Sequence, residues 1–334
     1  MPNLLDLPRQ ALLDLRSRLS HHLPRVPQLP LRNAMPDFLS LSSPAPEDHA
    51  LADPERVEVW RKACERYVRP GLSVMDVCSG AGLRTFLAAA RHPRKLFAVD
   101  GTRLLDTAQW VARRNGVEQH IDFVRSHPWH FQAPEKVDVL LHELMGEALF
   151  DAGLVPRMLD LRTRVLKPGG RILPNRFEVF VEPVQLKDEA CLPFIWSQRF
   201  PGVDYSCLQT LREAMNPSYF TRVIRSYEVE HLLCEPEPAF AFDLETMAED
   251  GLPHRVRFQR PVAEEGRVDG FCLFYRVAFD AELSFSVSPL RARNPAGMLL
   301  LRVDPREFSR YETLSFELEL GDPSDVRTWR WQFT

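Results

Sequence analysis

The chain has 334 residues, 45% of them hydrophobic and 26% charged, which excludes a disordered or fibrous polymer and leaves room for two ordinary domains or one large one. Forty-two basic residues against 46 acidic ones give a formal charge of −4, so no global positive field would hold the chain on nucleic acid or an anionic membrane. Six cysteines without a C-x-x-C pair indicate neither a metal site nor a disulfide framework. No run approaches the roughly 18 apolar residues of a membrane span, and Asp6 and Arg9 stand where a signal peptide would place its apolar run. A cytoplasmic protein with reduced thiols is expected.

Residues 1–48 carry prolines at 24, 27, 30, 36, 44 and 46, a density that forbids one long helix, and read as an irregular extension. Asp53-Pro54 then opens a helix over 54–68, with Val57, Trp60, Cys64 and Tyr67 on one face. Strands at 72–77, 95–99, around 121–124, at 137–141 and at 171–173 alternate with helices at 83–91, 103–114 and 154–166. Residues 49–174 therefore read as an α/β doubly wound, Rossmann-like domain. Past Pro174 the period changes to two, at 177–184, 226–233, 271–279, 282–287, 298–303 and 312–320, so 175–334 read as a mostly β domain. An arm at 188–222, with helix-like spacing of Leu208, Leu211 and Met215, is inserted into it.

The sharpest motif is Asp76-Val77-Cys78-Ser79-Gly80-Ala81-Gly82, a strand end followed by a small-residue turn into a helix. Glycines there let a ligand approach the backbone, and the helix start favours a negative group. Thr85 stands where a dinucleotide fold would have its third glycine, which argues against a nicotinamide cofactor. Asp100 ends the next strand, where a carboxylate can accept both hydroxyls of a ribose. The pair suits S-adenosylmethionine. The bland reading is an ordinary strand–turn–helix with Asp100 capping the helix after it.

In order along the chain come His49-Ala50-Leu51-Ala52-Asp53-Pro54-Glu55-Arg56-Val57-Glu58-Val59-Trp60, the glycine turn, Val99-Asp100, His142-Glu143-Leu144-Met145-Gly146, Leu166-Lys167-Pro168-Gly169-Gly170 with Pro174, and Gly202-Val203-Asp204-Tyr205-Ser206. As a set these resemble the protein arginine methyltransferases, well over about 49–210 and loosely beyond. The resemblance implies a methyltransferase domain followed by a β-barrel-like domain, with S-adenosylmethionine as cofactor. It implies that Arg56 pairs with the methionine carboxylate of that cofactor, that Asp76, Cys78, Gly80 and Gly82 belong to its site and that Asp100 holds its ribose. An acidic residue contacting adenine would fall near Arg125–His130, where no carboxylate occurs and His127 is the candidate.

Methyl transfer to a guanidinium needs its charge localised and one nitrogen aimed, a task for two carboxylates. Glu143, directly after the strand 137–141, matches the first in the family's pattern. The second falls on Ala152, beside Asp151, so Asp151 or Glu147 substitutes, or the second carboxylate is missing. The family's Thr-His-Trp loop would lie near Arg293–Met298, where neither the histidine nor the tryptophan occurs. The acceptor is thus an arginine of a protein or a small guanidino metabolite. A non-guanidine acceptor, and a silent cofactor-binding scaffold, are the competing readings. The arm implies a homodimer by resemblance; its aromatic residues Phe194, Trp196, Phe200, Tyr205 and Tyr219 either meet a partner copy or fold back onto their own β domain.

Overall fold

The structure is a computed structural model that describes residues 51–291 and 294–334, all within one compact unit. The expectations for residues 1–48, and for His49, Ala50 and Arg293, lie outside the described residues.

Helix α1 (Pro54–Tyr67) starts where Asp53 accepts the Arg56 amide, with proline in its first turn, and buries Trp60, Ala63 and Cys64. Then follow β1 (Ser73–Val77), α2 (Leu83–Ala89), β2 (Lys95–Asp100), α3 (Leu104–Arg114), β3 (Asp122–Arg125), β4 (Val137–His142), α4 (Leu154–Arg164) and β5 (Leu166–Leu173). The five strands form one parallel sheet in the order β3-β2-β1-β4-β5. β1 and most of β4 and β2 are buried, as expected of central parallel strands covered by helices. The order reverses between β1 and β4, so the C-terminal ends of β1, β2 and β4 border the crevice where such sheets bind ligands.

A cis peptide joins Leu173 to Pro174, and the antiparallel part begins two residues later. It comprises β6 (Arg176–Leu186), the short hairpin β7 (Arg199–Phe200) and β8 (Val203–Asp204), β9 (Thr221–Ile224), β10 (Val229–Leu232), β11 (Phe240–Asp243), β12 (Arg255–Pro261), β13 (Gly266–Ala278), β14 (Ser284–Val287), β15 (Met298–Phe308), β16 (Thr313–Glu319) and β17 (Arg330–Phe333). One sheet runs β10-β6-β13-β15-β9, with β11 on β6 and β14 on β13; a second runs β12-β16-β17. Phe271 of the first stacks on Phe316 of the second with ring centroids 3.5 Å apart. Strands β7, β8, β9, β11, β12 and β17 are additions to the elements expected from sequence. They are short or strongly polar on one face, which weakens their period-two signal.

Two expectations about the arm change. The spacing of Leu208, Leu211 and Met215 does not build an α-helix; residues Ser206–Ala214 form 3₁₀ turns with no buried side chain. The aromatic residues also divide. Phe194 and Trp196 are buried and stacked on each other at 4.5 Å, with Arg302 of β15 over Phe194 at 4.2 Å and Trp196 Nε1 donating to Asp304, so these two fold back on their own domain. Phe200 stays exposed, together with Leu192, Val203 and Leu211.

Candidate functional site

The glycine turn after β1 is built from left-handed residues: Cys78 at φ 53°, Gly80 at 55° and Gly82 at 96°. A side chain on Gly82 would meet the Phe86 ring at 2.7 Å and Ala108 at 3.0 Å, so glycine is needed there for packing as well as for conformation. Asp100 closes the turn from β2, its Oδ2 accepting the Gly80 amide at 2.9 Å and its Oδ1 the Thr102 amide at 2.6 Å. The Cys78 thiol, pushed up to about 11 by burial and the neighbouring Asp100, stays protonated. His127 is exposed against the backbone next to Asp100, its imidazole 3.8 Å from the place a Gly101 Cβ would occupy. Burial, Arg157 and His130 depress its pKa, which favours the neutral ring.

Asp76 is fully buried beneath the turn, with Oδ1 accepting from Arg84 Nε at 2.9 Å and Oδ2 from the Thr85 hydroxyl at 2.6 Å. This corrects the expectation that Asp76 faces the cofactor. A carboxylate with no solvent exposure and both oxygens engaged by side chains holds the turn in place instead.

Glu143, at the end of β4, is the hub. Its Oε1 accepts from Arg56 Nε at 2.8 Å and Trp60 Nε1 at 2.6 Å, and its Oε2 accepts from Arg84 Nη1 at 2.8 Å. Burial alone would raise its pKa, but the Arg56 and Arg84 guanidiniums hold it down at about 2. Among the described residues Arg56 hydrogen-bonds through Nε. Directly before Glu143, His142 is buried, donates Nε2–H to the Pro174 carbonyl at 2.8 Å and leaves Nδ1 without a partner; burial lowers its pKa to about 4.

The other two acidic candidates sit in the loop after β4. Leu149 at φ 62° and a hydrogen bond from its amide to Gly146 O fold this loop tightly. Asp151 is thereby pressed against Gly146, where a Cβ would come within 1.7 Å of Asp151 Oδ1. Glu147 extends to the β domain, with Oε1 2.8 Å from the place of a Gly297 Cβ. Gly297 belongs to the segment where the substrate loop was expected, and Asn294 braces that segment by donating to Ser288 O and accepting the Ala296 amide. The hydroxyl of Tyr275, on β13, reaches to 3.4 Å from Gly146 O and lies within electrostatic range of Arg56, Glu143, Glu147 and Asp151. Tyr275 thus reaches from the β domain to the loop that carries Glu147 and Asp151. Tyr275 and Arg84 escaped the sequence reading. Only a cation in the first turn of the helix after the glycine motif, an unfavourable place for positive charge, offered a signal for Arg84.

A crevice at the C-terminal strand ends, with left-handed small residues, a strand-end carboxylate and an arginine, fits S-adenosylmethionine, as does the absence of the third glycine of a dinucleotide site. Among the described residues no group of histidine, cysteine, aspartate or glutamate side chains could hold a metal ion.

No protein-family model matches the chain. Protein arginine N-methyltransferase 6 of Danio rerio is 28% identical over 277 residues, 80% of this chain and 78% of that protein. The Xenopus tropicalis protein of the same name is 27% identical over 300 residues, 86% of this chain and 87% of that one. Among solved structures, the Trypanosoma brucei PRMT1 enzyme–prozyme heterotetrameric complex with AdoHcy aligns with a TM-score of 0.72 at 22% identity, covering 84% of this chain and 89% of the other. Arabidopsis thaliana protein arginine methyltransferase 10 aligns with a TM-score of 0.68 at 18% identity, covering 89% and 93%. Together with the two-domain fold and the site geometry, these matches make the chain similar in sequence and in fold to the protein arginine methyltransferases.

Proposed function

We propose that the protein is an S-adenosylmethionine-dependent methyltransferase that acts on arginine side chains of proteins. The observation that carries this is Glu143, an ionised carboxylate at the end of β4 between the glycine turn and an acidic loop that faces the second domain. S-adenosylmethionine supplies an electrophilic methyl group. Arg56 takes its carboxylate through the Nη groups, Gly80, Gly82 and Cys78 line its path, Asp100 accepts ribose hydroxyls, and His127 stands at the adenine end. Glu143 with Asp151 or Glu147 aims one guanidinium nitrogen and draws charge to the other, through positioning and electrostatics. C–N bond formation on that nitrogen would be matched by cleavage of the methyl C–S bond, with the thioether as leaving group, and the nitrogen would shed a proton; a carboxylate held near 2 is a poor acceptor for it, so Glu143 aims the acceptor while the proton leaves to the loop or to water. The test is transfer of labelled methyl from S-adenosylmethionine to arginine-rich protein, with the label recovered as methylarginine.

The exposed apolar residues Leu192, Phe200, Val203 and Leu211 of the arm favour a homodimer in which the arm is covered by a second copy. A cytoplasmic location is the reading that six free thiols support; fractionation of the native host would check it.

A further inference from the structure

Arg84 sits in the first turn of α2, only 6% exposed, where the helix dipole disfavours a cation. Burying a charge there costs several kcal/mol unless it is fully paired, and a packed apolar side chain often serves stability as well or better. Yet all three of its nitrogens are engaged: Nε with Asp76, Nη1 with Glu143 at 2.8 Å and Nη2 with Cys78 O at 2.7 Å. Asp76 and Glu143 balance Arg84 and Arg56, so the cluster carries no net charge.

A carboxylate offers about four acceptor positions. Arg56 and Trp60 occupy both on Oε1, and Arg84 occupies one on Oε2. From this we propose that Arg84 is a positioning residue for the acceptor step. It clamps Glu143 in its ionised form and leaves one open position, on Oε2, for a single N–H of the acceptor guanidinium. A two-point fork on Glu143 is thereby blocked. The remaining N–H groups of the acceptor fall to Glu147 or Asp151, neither of which has an ion pair among the described residues. The inference rests on the reading that Glu143 faces the acceptor.

The test is a carboxylate titration of Glu143 by ¹³C NMR in the full chain, assigned with Glu143→Gln, comparing wild type with Arg84→Gln. Removing a guanidinium at this distance is expected to raise the Glu143 midpoint by about 1–3 pH units. Alongside it, kcat for methyl transfer falls at least ~10-fold while the acceptor KM does not rise, since aim is lost but an acceptor position is freed. Arg84→Lys keeps the charge without the fork, so it restores the midpoint but not kcat. If Arg84→Gln does not fold, the Asp76→Asn/Arg84→Met pair removes both buried charges together and is expected to raise the midpoint in the same way. An unmoved midpoint in an active protein overturns the role of Arg84 alone. A wild type that transfers no methyl group overturns the functional reading, and this inference with it.

Discussion

At the scale of single residues, the site is a set of buried charges whose ionisation is fixed by neighbours rather than by solvent. His142 shows the cost. Its imidazole is neutral in the folded protein down to about pH 4, while the unfolded chain takes up a proton near the ordinary 6.5. The unfolded state therefore binds more protons between pH 6.5 and 4, and folding stability falls as the pH is lowered through that window. The expected loss is up to about 3 kcal/mol. His142→Gln, which can still donate to the Pro174 carbonyl, removes it. Urea titrations of both proteins at pH 7 and 4.5 should show the wild type losing more stability than the variant; equal losses would mean that His142 is hydrated or differently placed.

The turn at Gly80 and Gly82 and the strand-end placement of Asp100 and Glu143 were legible in the sequence because strand ends and glycine turns have local signatures, whereas Arg56, in a helix, was pointed to by the family resemblance alone. Asp76 was misread, since an acidic residue within a strand looks the same from sequence whether it faces a ligand or a buried arginine. Arg84 and Tyr275 were invisible. Tyr275 comes from β13, more than 100 residues beyond the loop it meets, and no local pattern reports that kind of contact.

The loop between β4 and α4 is the element on which the proposed acceptor chemistry depends. Its tight turn at 146–149 presses Asp151 onto Gly146, so any side chain at 146 must drive Asp151 away. Gly146→Ala is expected to lower methyl transfer at least ~10-fold, because displacement of an aiming group by an ångström has effects of that order or larger. Binding of AdoHcy, measured by calorimetry, should change less than about threefold, since the residues proposed to hold the cofactor, Arg56 on α1, the turn after β1 and Asp100 on β2, lie outside this loop. Matched losses of both would show that the loop also shapes the cofactor site.

At the same scale, long elements with one clean period were readable, including α1, β4, β6 and β13. Strands β9, β11 and β12 were not, because each is recruited by a neighbouring strand and carries little pattern of its own. The arm shows the same limit: helical spacing at 208–215 was present, but short 3₁₀ turns form where no packed face supports a helix.

For the whole molecule, the two parts meet across the acidic loop: Glu147 reaches Gly297, Tyr275 reaches Gly146, and Arg291 holds Asp53, the cap of the helix that carries Arg56. The proposed acceptor site would thus be shared between the parallel sheet and the β domain. The arm adds an apolar surface that a second copy would cover. Sedimentation at micromolar concentration should give a dimer, and Phe200→Ser with Leu211→Ser should give a folded monomer. A wild-type monomer would remove the dimer from the account and leave the arm as a surface for something else.

The central claim is that a Glu143-centred site methylates arginine. The most direct measurement is transfer of labelled methyl from S-adenosylmethionine to an arginine-rich protein by wild type and by Glu143→Gln, with AdoHcy affinity measured on both. The account predicts acid-stable label recovered as methylarginine from the wild type, a loss of at least ~100-fold in the variant, and AdoHcy binding retained by both. Label confined to small molecules, or full activity in Glu143→Gln, would contradict it.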